Sequence, residues 1–130
     1  MVRRLKSSLK ELLSYRHVFS WKRAGNVLLV VVAYFLSRWT NRPVVAPAPI
    51  AISVEPTTVC NLKCPQCPTG AGTLLRSKGT MELALFQSII DQLSPTTFIV
   101  NLYLQGEPLL NPAIGEFIRY AHTKRLYTIL

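Results

Sequence analysis

Two short stretches of this chain alternate apolar and polar side chains, and a helical stripe lies between them. Ile50, Ile52 and Val54 fall on one face of a strand running from Ile50 to Glu55, with Ala51, Ser53 and Glu55 on the other. Pro56 ends it. Thr80 is the expected N-cap of the next element, with Glu82 in the first turn and Leu83, Phe86, Ile89, Ile90 and Leu93 as its apolar stripe. Ser94-Pro95 stops that helix. The second strand is expected over Phe98–Gln105, with Phe98, Val100, Leu102 and Leu104 on one face and Ile99, Asn101, Tyr103 and Gln105 on the other. Gly106-Glu107-Pro108 closes it. Asn111 is then the expected cap of a helix with Pro112 at its first position and Ile114, Phe117, Ile118 and Ala121 as its stripe. Tyr127 to Leu130 begins a third strand. This order of strand, helix, strand, helix, strand makes the fold class α/β, with parallel strands joined by right-handed crossovers. Parallel strands end on one rim, where α/β proteins bind ligands. The loops at Cys60–Cys67 and Gly106–Pro108 therefore belong together, and Asn101, Tyr103 and Gln105 are expected to line a pocket.

Apolar residues make up 49% and charged residues 16%, which excludes a disordered, charge-rich chain. The net charge of +9 is unevenly placed. Residues 1–42 hold nine Lys or Arg against Glu11 alone, for net +8, whereas residues 43–130 hold six against five acidic residues. The chain divides accordingly into a basic helical N-terminal extension (1–42), a Pro-rich linker (43–49) and an α/β body (50–130). The linker carries Pro43, Pro47 and Pro49 and cannot continue a helix.

The extension contains two helical stretches. Leu5, Leu9, Leu12 and Leu13 have amphipathic spacing. Val27–Leu36 is an uninterrupted apolar run between Lys22 and Arg23 on one side and Arg38 and Arg42 on the other. From Ala24 to Ser37 it reaches roughly 21 Å of a hydrocarbon core about 30 Å thick, so it is too short to span. A buried or docking helix is the first expectation for it, and contact with a membrane surface is the second. A signal peptide cleaved near Ala46-Pro47-Ala48 is disfavoured by the long basic lead and by Arg38 and Arg42. Nucleic acid is not an expected partner, because no nucleic-acid module accompanies the charge.

Cys60, Cys64 and Cys67 are the only cysteines and form C-x3-C-x2-C. An odd number this close together makes a poor disulfide framework, so a reduced, cytoplasmic chain is expected. Three thiolates on one loop can hold three corners of an iron–sulfur cube and leave one iron open. Zinc would need a fourth ligand, and His17 and His122 lack ligand spacing to the cysteines. Three unrelated buried thiols are the remaining alternative.

The run Val54-Glu55-Pro56-Thr57-Thr58-Val59-Cys60-Asn61-Leu62-Lys63-Cys64-Pro65-Gln66-Cys67, followed by Leu104-Gln105-Gly106-Glu107-Pro108, resembles the start of a radical S-adenosylmethionine (SAM) enzyme. It is most similar to the branch with C-terminal auxiliary-cluster, SPASM-type domains. The resemblance covers about residues 50–130. It implies the N-terminal part of a partial TIM-type (β/α)6 barrel. It implies a [4Fe–4S] cluster on Cys60, Cys64 and Cys67, with SAM on the open iron. It also implies reductive cleavage to a 5′-deoxyadenosyl radical that abstracts hydrogen from substrate. Gly106, Glu107 and Pro108 match the turn beside the SAM amino group. Gln66 stands where many members carry an aromatic residue near the adenine, which puts the role of its side chain in doubt. The implied partners are an electron donor (a reductase, ferredoxin or flavodoxin) and a substrate for which a peptide is one candidate. Two βα units and a strand are fewer than the family's barrel, so a fragment without turnover is expected. A non-enzymatic iron–sulfur or zinc module held at a membrane surface by its basic helices is the competing expectation.

Overall fold

The computed structural model describes residues 16–130. The stripe at Leu5, Leu9, Leu12 and Leu13 lies outside the described residues. Helix α1 spans Trp21–Thr40, α2 spans Leu83–Leu93 and α3 spans Ile114–Thr123. Strands β1 (Ala51–Ser53), β2 (Ile99–Asn101) and β3 (Tyr127–Ile129) form one parallel sheet in the order β1-β2-β3. Ile52 pairs with Val100, and Val100 with Thr128.

The core lies between the sheet and α2 and α3. Val54, Val100, Leu102 and Leu126 meet Phe86, Ile90, Phe117 and Ala121 there, all buried. Phe86 and Phe117 stack with ring centroids 4.3 Å apart. Burying large apolar side chains of this kind contributes about 1.5–3 kcal/mol each. The opposite face of the sheet carries Ala51, Ser53, Asn101 and Ile129. Ala51, Ser53 and Ile129 are exposed, and Asn101 bonds Ser53 across the strands at 3.2 Å. Parallel sheets are normally covered on both faces, and this one is packed by α2 and α3 on one face and open on the other among the described residues.

Several expected boundaries move. Strand β1 spans Ala51–Ser53 and stops short of the expected Glu55. Strand β2 does not continue to Gln105. Its last sheet contact is Leu102 N–H to Ile129 O at 2.8 Å, and Leu104, expected on the buried face, is 69% exposed. The chain leaves the sheet there because Gly106 must cross toward Thr57. Thr80 does not cap α2. Glu82 holds that position, and Thr80 pairs with Thr57 in an isolated antiparallel bridge instead. Asn111 caps two residues early: its Oδ1 accepts from Ala113 N–H at 2.8 Å, and α3 starts at Ile114.

Helix α1 docks differently from the expectation for an apolar run. Its buried residues are Arg23, Asn26 and the small Ala33, so the large side chains of its contact face are polar. Arg23, only 4% exposed, directs all its N–H groups at main-chain carbonyls. Nε and Nη2 donate to Ser94 O (3.0 and 2.7 Å), Nη2 also to Lys124 O (2.8 Å), and Nη1 to Val18 O and Arg125 O. Ser94 and Lys124 are the C-caps of α2 and α3, so one cation sits at the negative ends of two helices. Burial, then Arg125, draws its pKa down, and a guanidinium nevertheless stays charged at neutral pH. Asn26 donates to Ala48 O at 3.1 Å. Asn41, in the left-handed region at φ 52°, ends α1. The proline segment then doubles back along the helix, with Val44 N–H on Ser37 Oγ at 2.8 Å. No helix among the described residues is long and apolar enough to cross a membrane.

Arg23→Ala should lower stability by about 2–4 kcal/mol in urea unfolding, because it strands carbonyls that a charged donor had satisfied. Arg23→Lys should recover less than half of the loss, since an ammonium cannot reproduce the planar fork.

Candidate functional site

The residues after β1 form a closed loop with a pinned neck. Thr58 N–H donates to Gly79 O at 2.9 Å, and Gly79 N–H returns to Thr58 Oγ1 at 2.7 Å. Thr57 Oγ1 donates to Gly79 O at 3.0 Å and accepts from Val59 N–H at 3.1 Å. Met81 N–H reaches Pro56 O at 2.8 Å. Thr57 and Thr58 are buried, so these bonds are sheltered from water. The neck fixes both ends of the segment that carries Cys60, Cys64 and Cys67.

Inside the loop the cysteines are free, with Cys64 exposed and the other two partly so. Cys60 Sγ accepts from Leu62 N–H at 3.4 Å. Main-chain N–H groups of Gly70 and then Thr69 draw the Cys67 thiol below its ordinary pKa. The chain turns tightly here: Cys67 N–H bonds Cys64 O at 3.2 Å, and Ala71 N–H bonds Cys67 O at 2.8 Å. A Cβ at Gly70 would lie 2.6 Å from Cys64 N, so only glycine lets the turn lie against Cys64. Gln66 is exposed on this loop.

The second loop meets the first where the topology requires. Glu107 N–H donates to Val59 O at 2.8 Å, next to Cys60. Gly106 has φ +82°, and a Cβ there would lie 2.1 Å from Thr57 O. Glu107 turns its carboxylate to Leu109 N–H at 3.2 Å and caps the 3-10 turn Pro108–Leu110. Gly106, Glu107 and Pro108 therefore stand beside the root of the cysteine loop.

Two residues hold this rim together in ways that sequence reasoning did not foresee. Arg76 pairs with Glu55, two residues past β1, and donates to Gln105 Oε1 at 3.2 Å, tying the tail of the cysteine loop to the segments that follow β1 and β2. Nothing in the local sequence marks it. Asn111, 1% exposed, donates to Pro56 O at 2.9 Å and Met81 O at 3.3 Å, both in the neck. Its capping role is legible, but the neck contact is not. Of the expected pocket lining, Gln105 meets Arg76, Asn101 meets Ser53, and Tyr103 is 46% exposed.

Among the described residues, no three His, Cys, Asp or Glu side chains converge closely enough to hold a metal ion. The three sulfurs share a loop without meeting at a point. The donor set nevertheless suits an iron–sulfur group: three free thiols, with main-chain N–H groups directed at Cys60 and Cys67.

A parallel sheet with a three-cysteine loop after its first strand and a Gly-Glu-Pro turn after its second has the features of a radical SAM protein. Curated relatives bear out that resemblance. The chain is 29% identical over 85 residues to the PqqA peptide cyclase of Xanthomonas oryzae pv. oryzae (strain MAFF 311018), covering 65% of this chain and 23% of the relative. It is 37% identical over 75 residues to the mycofactocin maturase MftC of Mycobacterium ulcerans (strain Agy99), covering 57% of this chain and 20% of the relative. Both are radical SAM enzymes with SPASM-type domains. The chain thus spans less than a quarter of the length of these relatives. No family model matches the chain.

Gly106→Ala should cost at least about 1–3 kcal/mol from the left-handed backbone alone, with the Thr57 clash added. Thermal unfolding measures it. Arg76→Ala should lower global stability by only about 1 kcal/mol, since Arg76 itself is half exposed although its partner Glu55 is largely buried. Limited proteolysis should nonetheless cut the loop of residues 60–79 faster in that variant.

Proposed function

We propose that this chain carries the cluster- and SAM-binding rim of a radical SAM enzyme that modifies a peptide. The observation that carries the reading is the bond from Glu107 N–H to Val59 O, which seats the Gly-Glu-Pro turn beside the first cysteine. The names of the relatives, a peptide cyclase and a maturase, support the substrate class.

In this reading Cys60, Cys64 and Cys67 hold a [4Fe–4S] cluster as thiolates. When bound, the cluster and SAM supply a one-electron cleavage that yields a hydrogen-abstracting radical. The chain's own residues position and shield. Main-chain N–H groups at Cys60 and Cys67 stabilise negative charge on sulfur. Gly106 brings main-chain carbonyls close to the rim, where they and Glu107 suit an ammonium group such as that of SAM. Gln66, exposed near Cys67, is free to approach an adenine edge by side chain or backbone. Ser53 and Asn101 line the open face of the sheet at the same end and are placed to face substrate. An electron donor such as a ferredoxin, a flavodoxin or a reductase would approach the exposed Cys64 side. Turnover is expected to need whatever covers the open face, because a radical must be kept from water.

Anaerobic reconstitution with iron and sulfide, read by EPR after reduction, tests this. A [4Fe–4S] signal that changes on adding SAM is expected. Any of Cys60→Ser, Cys64→Ser or Cys67→Ser should remove most of the signal, and Glu107→Gln should weaken the SAM-induced change while keeping the cluster. A cluster that ignores SAM, or cysteine variants that load normally, would contradict the proposal.

A further inference from the structure

Helix α1 is amphipathic in reverse. Its polar residues Arg23 and Asn26 face the body and Ser37 faces the doubled-back linker, while most of its large apolar residues face out and the small Ala33 is its buried apolar residue. Trp21, Leu28, Val32, Phe35 and Trp39 recur at i, i+7, i+11, i+14 and i+18, which puts them on one line along the helix. Their exposures are 84, 63, 43, 61 and 84%. Phe19, 50% exposed, extends the line through an edge-on contact with Trp21 at 5.5 Å. The stripe between the two tryptophans is roughly 27 Å long. A continuous apolar surface of this kind marks an interaction site.

Charge selects the partner. Exposed Lys22 and Arg38 flank the stripe at its two ends, with Arg16 and Arg42 beyond them. No Asp or Glu occurs in residues 12–54. A second copy docked by the same stripe would set these cations against one another, which disfavours self-association. A surface that is apolar beneath and anionic at its boundary satisfies both the stripe and its flanks. Tryptophan at each end is the residue type that settles at the headgroup level. The helix is not long and apolar enough to cross a bilayer, so it would lie in the plane.

We infer that α1 docks this protein on anionic phospholipid, with Trp21, Leu28, Val32, Phe35 and Trp39 in the headgroup–acyl boundary and Lys22 and Arg38 on lipid phosphates. Arg23 fixes the roll of the helix, since its bonds to Ser94 O, Lys124 O and Arg125 O leave the stripe pointing away from the body.

Trp21 and Trp39 are the only tryptophans in the chain, so tryptophan fluorescence, excited selectively over tyrosine, reads this face alone. The full 130-residue chain is mixed with vesicles of phosphatidylcholine, with or without phosphatidylglycerol, and then floated. A blue shift and co-flotation with the mixed vesicles, both reduced by salt, are expected. Lys22→Ala with Arg38→Ala should lower partitioning about twenty-five-fold, at about fivefold per cation. Leu28→Glu with Phe35→Glu should abolish both readouts while the circular dichroism is retained. If that variant does not fold, the charge variant decides, and unchanged binding there overturns the inference. Equal binding to neutral vesicles overturns it too, as does flotation without a tryptophan shift, which would assign the contact to other residues. A blue shift without lipid, accompanied by a doubled mass in sedimentation, would give the face to a second copy and also overturn it. None of these readouts depends on cluster loading.

Discussion

The carbonyl oxygen of Pro56 accepts from two donors that lie far apart in sequence, Met81 N–H and Asn111 Nδ2. One closes the cysteine loop on itself, and the other binds that closed loop to the start of α3. Because the site is buried, both bonds are made in a medium where water does not compete, and losing either would leave a polar group unsatisfied. The loop after β1 is long and rich in residues that favour turns. Without a fixed neck it would sample many forms. With the neck fixed, the position of Cys60 relative to Glu107 becomes a property of the sheet. The rim's chemistry therefore rests on a main-chain carbonyl that carries no chemistry of its own.

A second organising interaction lies at the other end of the molecule. Arg23 takes the C-terminal ends of α2 and α3, which in a parallel α/β layer face the edge opposite the rim that carries the cysteine loop. One guanidinium does there what separate caps and waters would otherwise do. It also joins the N-terminal helix to the body through charge and hydrogen bonds rather than apolar contact, which is why the apolar side of α1 is left outward. The two ends are built by the same rule: carbonyls that the secondary structure cannot satisfy are gathered around a single buried donor, Asn111 at the rim and Arg23 at the base.

Where a side chain's partner lies nearby in sequence, or is simply the core, its role was legible. The stripes of α2 and α3 and the three strands follow from apolar period, because Phe86, Ile90, Phe117 and Ala121 are buried by that period. The meeting of the two loops on one rim follows from strand order. Where a polar residue chooses a distant partner, local pattern fails. Thr80 looks like a cap because threonine caps helices, but it equally suits a bridge, and Thr57 decides the matter. Leu104 continues an alternation that the sheet has already abandoned. Arg23 reads as one more flanking charge before an apolar run, and Val27–Leu36 reads as a stretch seeking burial. Its outward face is visible only once Arg23 has set the roll. In the cysteine loop the spacing of the ligand-type residues is plain in the sequence, whereas Arg76 and the neck that hold them are not.

The left-handed glycine at position 106 has a consequence for how this protein can change. The space its missing side chain leaves is filled by the backbone of Thr57, not by a side chain that a second substitution could trim. No compensating change elsewhere can make room without moving the main chain of the cysteine loop itself. Position 106 is thus closed to any side chain unless the main chain of the cysteine loop moves with it, so the separation of the two loops is set by an atom that is not there.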